Sequence, residues 1–232
     1  MNNKRVLIDI SKILFIIFLP IVTLFTILQY YSYNQDFYMN EFEKYNISKV
    51  TTMSEEDLSR VSEKLISYLK LEYEDLDIKA VINGEYQEVF GQREKQHMVD
   101  VKELFSKGKR LRNTGLCISL LAFVTILLVS KSRKRDIYKA LLWSGIVSLL
   151  LMLILYILLS IDFYKYFTYF HEIFFTNDLW LLNPKTEVLI QMLPLEFFID
   201  ISIRIIGWFL GISIAMVILP LIKLKKYYLN FK

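Results

Sequence analysis

At 232 residues with 54% hydrophobic side chains and a positive mean hydropathy, the chain exceeds the apolar share of about 45 to 50% usual for soluble domains, which excludes an ordinary water-soluble fold. Its formal charge of +4 sits in clusters beside apolar runs and suits an anionic cytoplasmic leaflet; no basic groove motif points to nucleic acid. The single cysteine, Cys117, excludes an intrachain disulfide and a CxxC metal or redox site.

Four apolar runs are long enough for a bilayer core, which takes about 20 apolar residues per helix: residues 6–31, 115–130 with flanks, 138–161 and 203–222. The fold class expected is mainly α, a polytopic membrane protein with four transmembrane helices and a small α+β extracytoplasmic cap. Lys4 and Arg5 ahead of the first run could open a secretory signal. The run is too long for a signal core, and "QYYSYNQDFY" offers no small-residue cleavage site, so it reads as a retained helix. Tyr30, Tyr31 and Tyr33 then form an interfacial belt.

The first long connection reads as a folded cap. In "TTMSEEDLSRVSEKLISYLKLEY", Ser54 is an N-cap with Asp57 three residues on, followed by Leu58, Val61, Leu65, Ile66 and Leu69 at helical spacing. Asn83-Gly84 between two strand-like runs predicts a two-stranded hairpin. Being marginal alone, the hairpin should rest on the amphipathic helix or on the outer ends of the membrane helices. In "GQREKQHMVDVKELFSKGKR", Asp100 reads as the cap of a short helix leading into the second span, with His97 just before it.

The second run is the shortest and is extended by residues 111–114 and by snorkelling of Lys131; Cys117 inside it reads as packing. The next connection, "FYKYFTYFHEIFFTNDLWLLNPKTEVLIQMLPLEFFIDI", is too aromatic for a free loop and too polar to span lipid. Asn183-Pro184 predicts a short helix over residues 184–191, proline losing no needed hydrogen bond at the first helical position, with Pro194 ending it.

Basic clusters "MNNKR", "KSRKRDIYK" and "KLKKYYLNFK" belong on the cytoplasmic side. Both termini are then cytoplasmic, and both histidines face outward. The domains expected are 1–32, transmembrane helix one; 33–113, the extracytoplasmic cap of amphipathic helix and hairpin; 114–162, helices two and three with a basic cytoplasmic loop. Residues 163–202 form an aromatic outer segment, interfacial or re-entrant, and 203–232 form helix four with a basic cytoplasmic tail.

Histidine exchanges protons near neutral pH, and the chain has two. An acid beside His171 could orient it, and Glu172, Asp178 and Asp162 are candidates. On residues alone, a solvated His97 and an interfacial His171 stay open alternatives.

"FHEIFFTNDLWLLNPKTEVLIQMLP", together with the upstream "HMVDVKELF", resembles the lipoprotein intramolecular transacylase family of Gram-positive bacterial membranes. The likeness covers essentially the whole chain, although Asn183 stands where many relatives carry aspartate. The resemblance implies transfer of the sn-2 acyl chain of a diacylglyceryl-modified lipoprotein to the α-amine of its own N-terminal cysteine, giving the lyso form. It implies that the catalytic pair is His171, as general base, and His97, as proton donor to the glycerol oxygen or support for the oxyanion. Glu172, Asn177, Asp178 and Trp180 are then supporting or orienting residues. No metal or cofactor is called for, and the partners are the lipoprotein substrate and membrane lipid.

Two other readings compete. A zinc-dependent membrane hydrolase would use His97, His171 and a carboxylate such as Glu172 or Asp178, although no HExxH or comparable spacing is present. A non-enzymatic scaffold would bind a partner through its outer cap.

Overall fold

The computed structural model describes residues 2–229. In chain order it forms α1 (Asn2–Ser32), α2 (Gln35–Lys44), α3 (Ile47–Thr51), α4 (Glu55–Leu69), β1 (Lys79–Ile82), β2 (Glu85–Glu88), α5 (Gln92–Val129), α6 (Arg133–Ile161), α7 (Phe163–Phe174), α8 (Val188–Met192) and α9 (Leu195–Leu229). The four expected spans are carried by α1, α5, α6 and α9, each long and apolar enough to cross a membrane.

Two compact units share these helices. The first comprises residues 1–28, 109–161 and 204–232; the second comprises 29–108 and 162–203.

In the first unit, small residues let helices approach closely. A Cβ added at Gly145 of α6 would lie 2.9 Å from Val217 and 3.0 Å from the Ser213 carbonyl of α9. Gly115 of α5 sits against Phe18 and Val22 of α1. The buried stripe of α5 runs through Gly115, Ser119, Ala122 and Ile126, steps of three and four residues. Cys117 falls two residues off that stripe and is exposed, so it does not pack between helices as the sequence suggested. At the α5–α6 turn the Ser130 hydroxyl donates to Asp136 at 2.6 Å.

In the second unit, the amphipathic helix and hairpin form as read. Ser54 caps α4 by accepting from the Asp57 amide at 3.1 Å, and Leu58, Val61, Leu65, Ile66 and Leu69 are buried. The hairpin pairs Lys79 with Glu88 through to Ile82 with Glu85. It turns on Asn83 (φ 53°) and Gly84 (φ 81°), both in the left-handed region that such a two-residue turn requires. It rests on α4: the Arg60 guanidinium donates to the Lys79 carbonyl at 2.6 Å, and the Asp57 carboxylate accepts from the Val81 amide at 3.3 Å.

Ahead of α4, the sequence reading had no counterpart to α2. Asn34 caps α2 by accepting from the Phe37 amide at 3.0 Å, and Phe37, Tyr38 and Phe42 are buried. Lys44 pairs with Asp200, and the Tyr45 hydroxyl donates to the same carboxylate at 2.6 Å.

Two boundaries differ from expectation. Asp100 caps no separate helix, because α5 continues unbroken from Gln92 to Val129; no proline interrupts it, and glycine at 108 and 115 costs only about 1 kcal/mol each. Thirty-eight residues at 1.5 Å each make a rod of about 57 Å, nearly twice a bilayer core of about 30 Å. Ten charged residues run from Arg93 to Arg112, so the part of α5 apolar enough for a bilayer core begins after Arg112. The helix expected at 184–191 is shifted: α8 is Val188–Met192. The Asn183 side chain accepts from the Lys185 amide at 3.0 Å, and its carbonyl accepts from Thr186 and Glu187. Proline therefore sits in an Asx-type turn rather than at a helix start.

Candidate active site

The second unit brings the two histidines together. His97 lies near the start of α5 and His171 in the last turn of α7, both buried. Their ring centroids are 6.2 Å apart, with planes inclined at 34°. Aromatic rings wall the pair. Phe167 meets His171 edge-on at 4.5 Å, Phe175 meets His97 edge-on at 5.4 Å, and Trp180 stacks on His171 at 4.8 Å with planes at 27°.

Helix geometry fixes the tautomer of His171. Its Nδ1 lies 2.7 Å from the Phe167 carbonyl one turn back. A carbonyl only accepts, so Nδ1 carries the hydrogen and Nε2 keeps its lone pair. His97 Nδ1 is buried with no hydrogen-bond partner among the described residues.

Burial lowers the His171 pKa, with the Phe167 carbonyl opposing. Burial also pushes His97 down to about 4; the neighbouring His171 acts in the same direction and Asp100 opposes. Since charge on His171 disfavours charge on His97, the pair carries at most one positive charge near neutral pH.

The supporting residues divide. Trp180 is in place, stacked on His171. Asn177 is also engaged, its amide donating to Asp100 at 2.8 Å and its oxygen accepting from the Leu179 amide at 3.1 Å. Asp178 acts through its backbone, the carbonyl accepting from Arg93 at 2.5 Å, while its side chain is exposed. Glu172 is exposed on α7: at 100° per residue it shares a polar strip with Thr168 and Lys165 rather than the face of His171. Asp162 caps α7 by accepting from the Lys165 amide at 3.0 Å. The group that orients His171 is thus a backbone carbonyl, not one of the candidate acids.

Sequence reasoning missed the rest of the α5 face. Arg93, Glu94, His97 and Asp100 fall at helical steps on one side. Glu94 is 3% exposed, and its two oxygens accept from the Gly91 and Leu189 amides, each at 2.6 Å. Burial raises its pKa and these hydrogen bonds oppose. The signal was present in "REKQHMVD", and it becomes readable only once α5 is known to start at Gln92. No cluster of three or more His, Cys, Asp or Glu side chains suited to a metal occurs among the described residues.

The model of the lipoprotein intramolecular transacylase family, Lit, matches residues 13–198. The chain belongs to this family. The transacylase fold is equally plain in three dimensions. The in meso structure of the membrane-integral lipoprotein intramolecular transacylase Lit from Bacillus cereus superposes with a TM-score of 0.82 at 24% identity, covering 96% of this chain and 98% of that one. A variant of the same protein in which one histidine is replaced by alanine superposes with a TM-score of 0.77 at 23% identity, covering 96% of both chains. An uncharacterized protein of Aquifex aeolicus is 29% identical over 159 residues, 62% of this chain and 69% of that protein. The chain is therefore a multi-pass membrane enzyme that acts as a lipoprotein intramolecular transacylase.

Proposed function

We propose that this transacylase moves the sn-2 acyl chain of a diacylglyceryl lipoprotein onto the α-amine of the lipoprotein's N-terminal cysteine, with His171 and His97 as the proton-handling pair. The observation that supports this reading most is the free lone pair on His171 Nε2, fixed by the Phe167 hydrogen bond, beside a second buried imidazole.

The amine nitrogen attacks the ester carbonyl and loses a proton to His171 Nε2. The new N–C bond forms as the C–O bond to glycerol breaks, and the glycerol oxygen receives a proton from the pair, with His97 on the donating side. One proton enters the dyad and one leaves, so the histidines end each cycle as they began. Amine and ester belong to one molecule, and positioning them can contribute about 7 to 11 kcal/mol in favourable cases. The walls of Phe167, Phe175 and Trp180 supply low-polarity surroundings in which hydrogen bonds and charge–charge interactions with the reacting groups are strengthened.

We place residues 33–113 and 163–202 on the outer side of the membrane and both termini in the cytoplasm, from the basic residues at 4–5, 131–139 and 223–226. The exposed apolar residues of α7, Tyr164, Tyr169, Phe170, Ile173 and Phe174, suit an interfacial helix at the outer leaflet, where a diacylglyceryl group resides.

Replacing either histidine by alanine tests the reading. Mass spectrometry of lipoprotein N-termini from cells carrying His171→Ala or His97→Ala should show lyso-form product reduced by about 10²-fold or more, with the protein still present in the membrane. Wild-type amounts of lyso form from either variant would remove that histidine from the mechanism.

A further inference from the structure

We infer that Asp100 is a positioning residue for the histidine pair, tethering the Trp180 loop through Asn177 and holding a negative charge beside His97; this rests on the roles proposed above for His97 and His171.

Asp100 follows His97 by three residues, so the two side chains share a face of α5. Its carboxylate accepts from the Asn177 amide at 2.8 Å across 77 positions of sequence. Asn177 uses its other end on the Leu179 amide, and the next residue is Trp180, which stacks on His171. A short series of contacts thus runs from the carboxylate on α5 to the ring on α7.

The second role is electrostatic. While the proton passes from amine to glycerol oxygen, the pair carries one positive charge among aromatic walls, and a dry site penalises it. The charged groups around the pair are otherwise committed or turned away. Arg93 donates to the Asp178 carbonyl, and both Glu94 oxygens are taken by backbone amides. On α7, Lys165 and Glu172 are exposed, as is the Asp178 side chain in the loop. Asp100 is the carboxylate that favours the protonated form of His97, against burial and against His171.

Three variants of the full-length protein separate the two roles, assayed in nanodiscs with a synthetic diacylglyceryl-cysteine lipopeptide by mass spectrometry. Asp100→Asn keeps an oxygen to accept from Asn177 and removes only the charge. Its kcat should fall about tenfold, the loss that one pKa unit of the pair represents, with KM within about twofold. Asp100→Ala removes charge and tether, and kcat should fall about 100-fold. Combining Asp100→Asn with Asn177→Asp reverses the hydrogen bond, keeps an acceptor for the Leu179 amide and restores a carboxylate to the pair; kcat should rise above that of Asp100→Asn alone. Wild-type kcat in Asp100→Asn would overturn the charge role, and Asp100→Ala no slower than Asp100→Asn would overturn the tether. Loss of the histidine reading would show differently, as undiminished product from His97→Ala and His171→Ala in the same assay.

Discussion

Burial lowers the proton affinity of His171 and holds His97 at a pKa of about 4, so at neutral pH both rings are uncharged, with His171 Nε2 ready to accept and one N–H on His97 to pass on. A base that is already free cannot set the rising limb of the rate profile. That limb should follow the substrate, whose α-amine titrates near 7.7 to 8.0 when unperturbed. Below that range the amine is protonated and cannot attack, so the sign is clear: kcat/KM rises from about pH 6 to 8. Single-turnover rates on two lipopeptides with different amine pKa values check this; a limb at the same pH for both, below the ordinary histidine range, would assign it to a histidine instead. At this scale the sequence showed which residues are present but not their directions. Glu172 adjoins His171 in the chain, yet one helical step of 100° carries it to a polar strip. The Phe167 carbonyl could not be read at all, because a backbone acceptor leaves no mark in composition.

Elements with a self-contained signal were legible. Asn83-Gly84 has a local reason for its turn, and the apolar spacing after Ser54 fixes the buried face of α4 without knowledge of its partner. By contrast, "QDFYMNEFEK" mixes acids with rings, and its helix emerges only when Phe37, Tyr38 and Phe42 have a core to enter. The join between α5 and α8 was illegible for another reason: a glutamate in a highly charged helix reads as solvated, and Leu189 is 95 positions away from Glu94. That join should matter to stability. Glu94→Ala would strand the amides of Gly91 and Leu189, at a cost of about 1–3 kcal/mol for a buried group left unpaired. Thermal unfolding of the purified protein should show a lower midpoint for Glu94→Ala than for Glu94→Gln, which keeps one acceptor. Equal midpoints for Glu94→Ala and wild type would mean that the contact carries no net stability.

For the whole molecule, hydropathy alone located the four spans, because an apolar run of about 20 residues has few alternatives to crossing a bilayer. The proposed sidedness rests on basic residues at 4–5, 131–139 and 223–226. Cysteines introduced at Asn83 or Lys185, in a Cys117→Ala background, should react with a membrane-impermeant thiol reagent in whole cells. A cysteine at Ser132 should react only after the membrane is opened. Labelling of intact cells at 132, with none at 83 or 185, would invert the molecule and place the histidines on the cytoplasmic side.

The stack of Trp180 on His171 has an optical consequence. An imidazolium pressed against an indole face interacts with its π-system as a cation and quenches its emission, whereas a neutral ring does so far less. Of the 3 tryptophans, Trp143 and Trp208 belong to the membrane-spanning helices α6 and α9 and are exposed, which leaves Trp180 as the one in ring contact with a histidine among the described residues. The fluorescence of that single indole is therefore a built-in meter of charge at the base, readable in the resting enzyme before any lipoprotein is added.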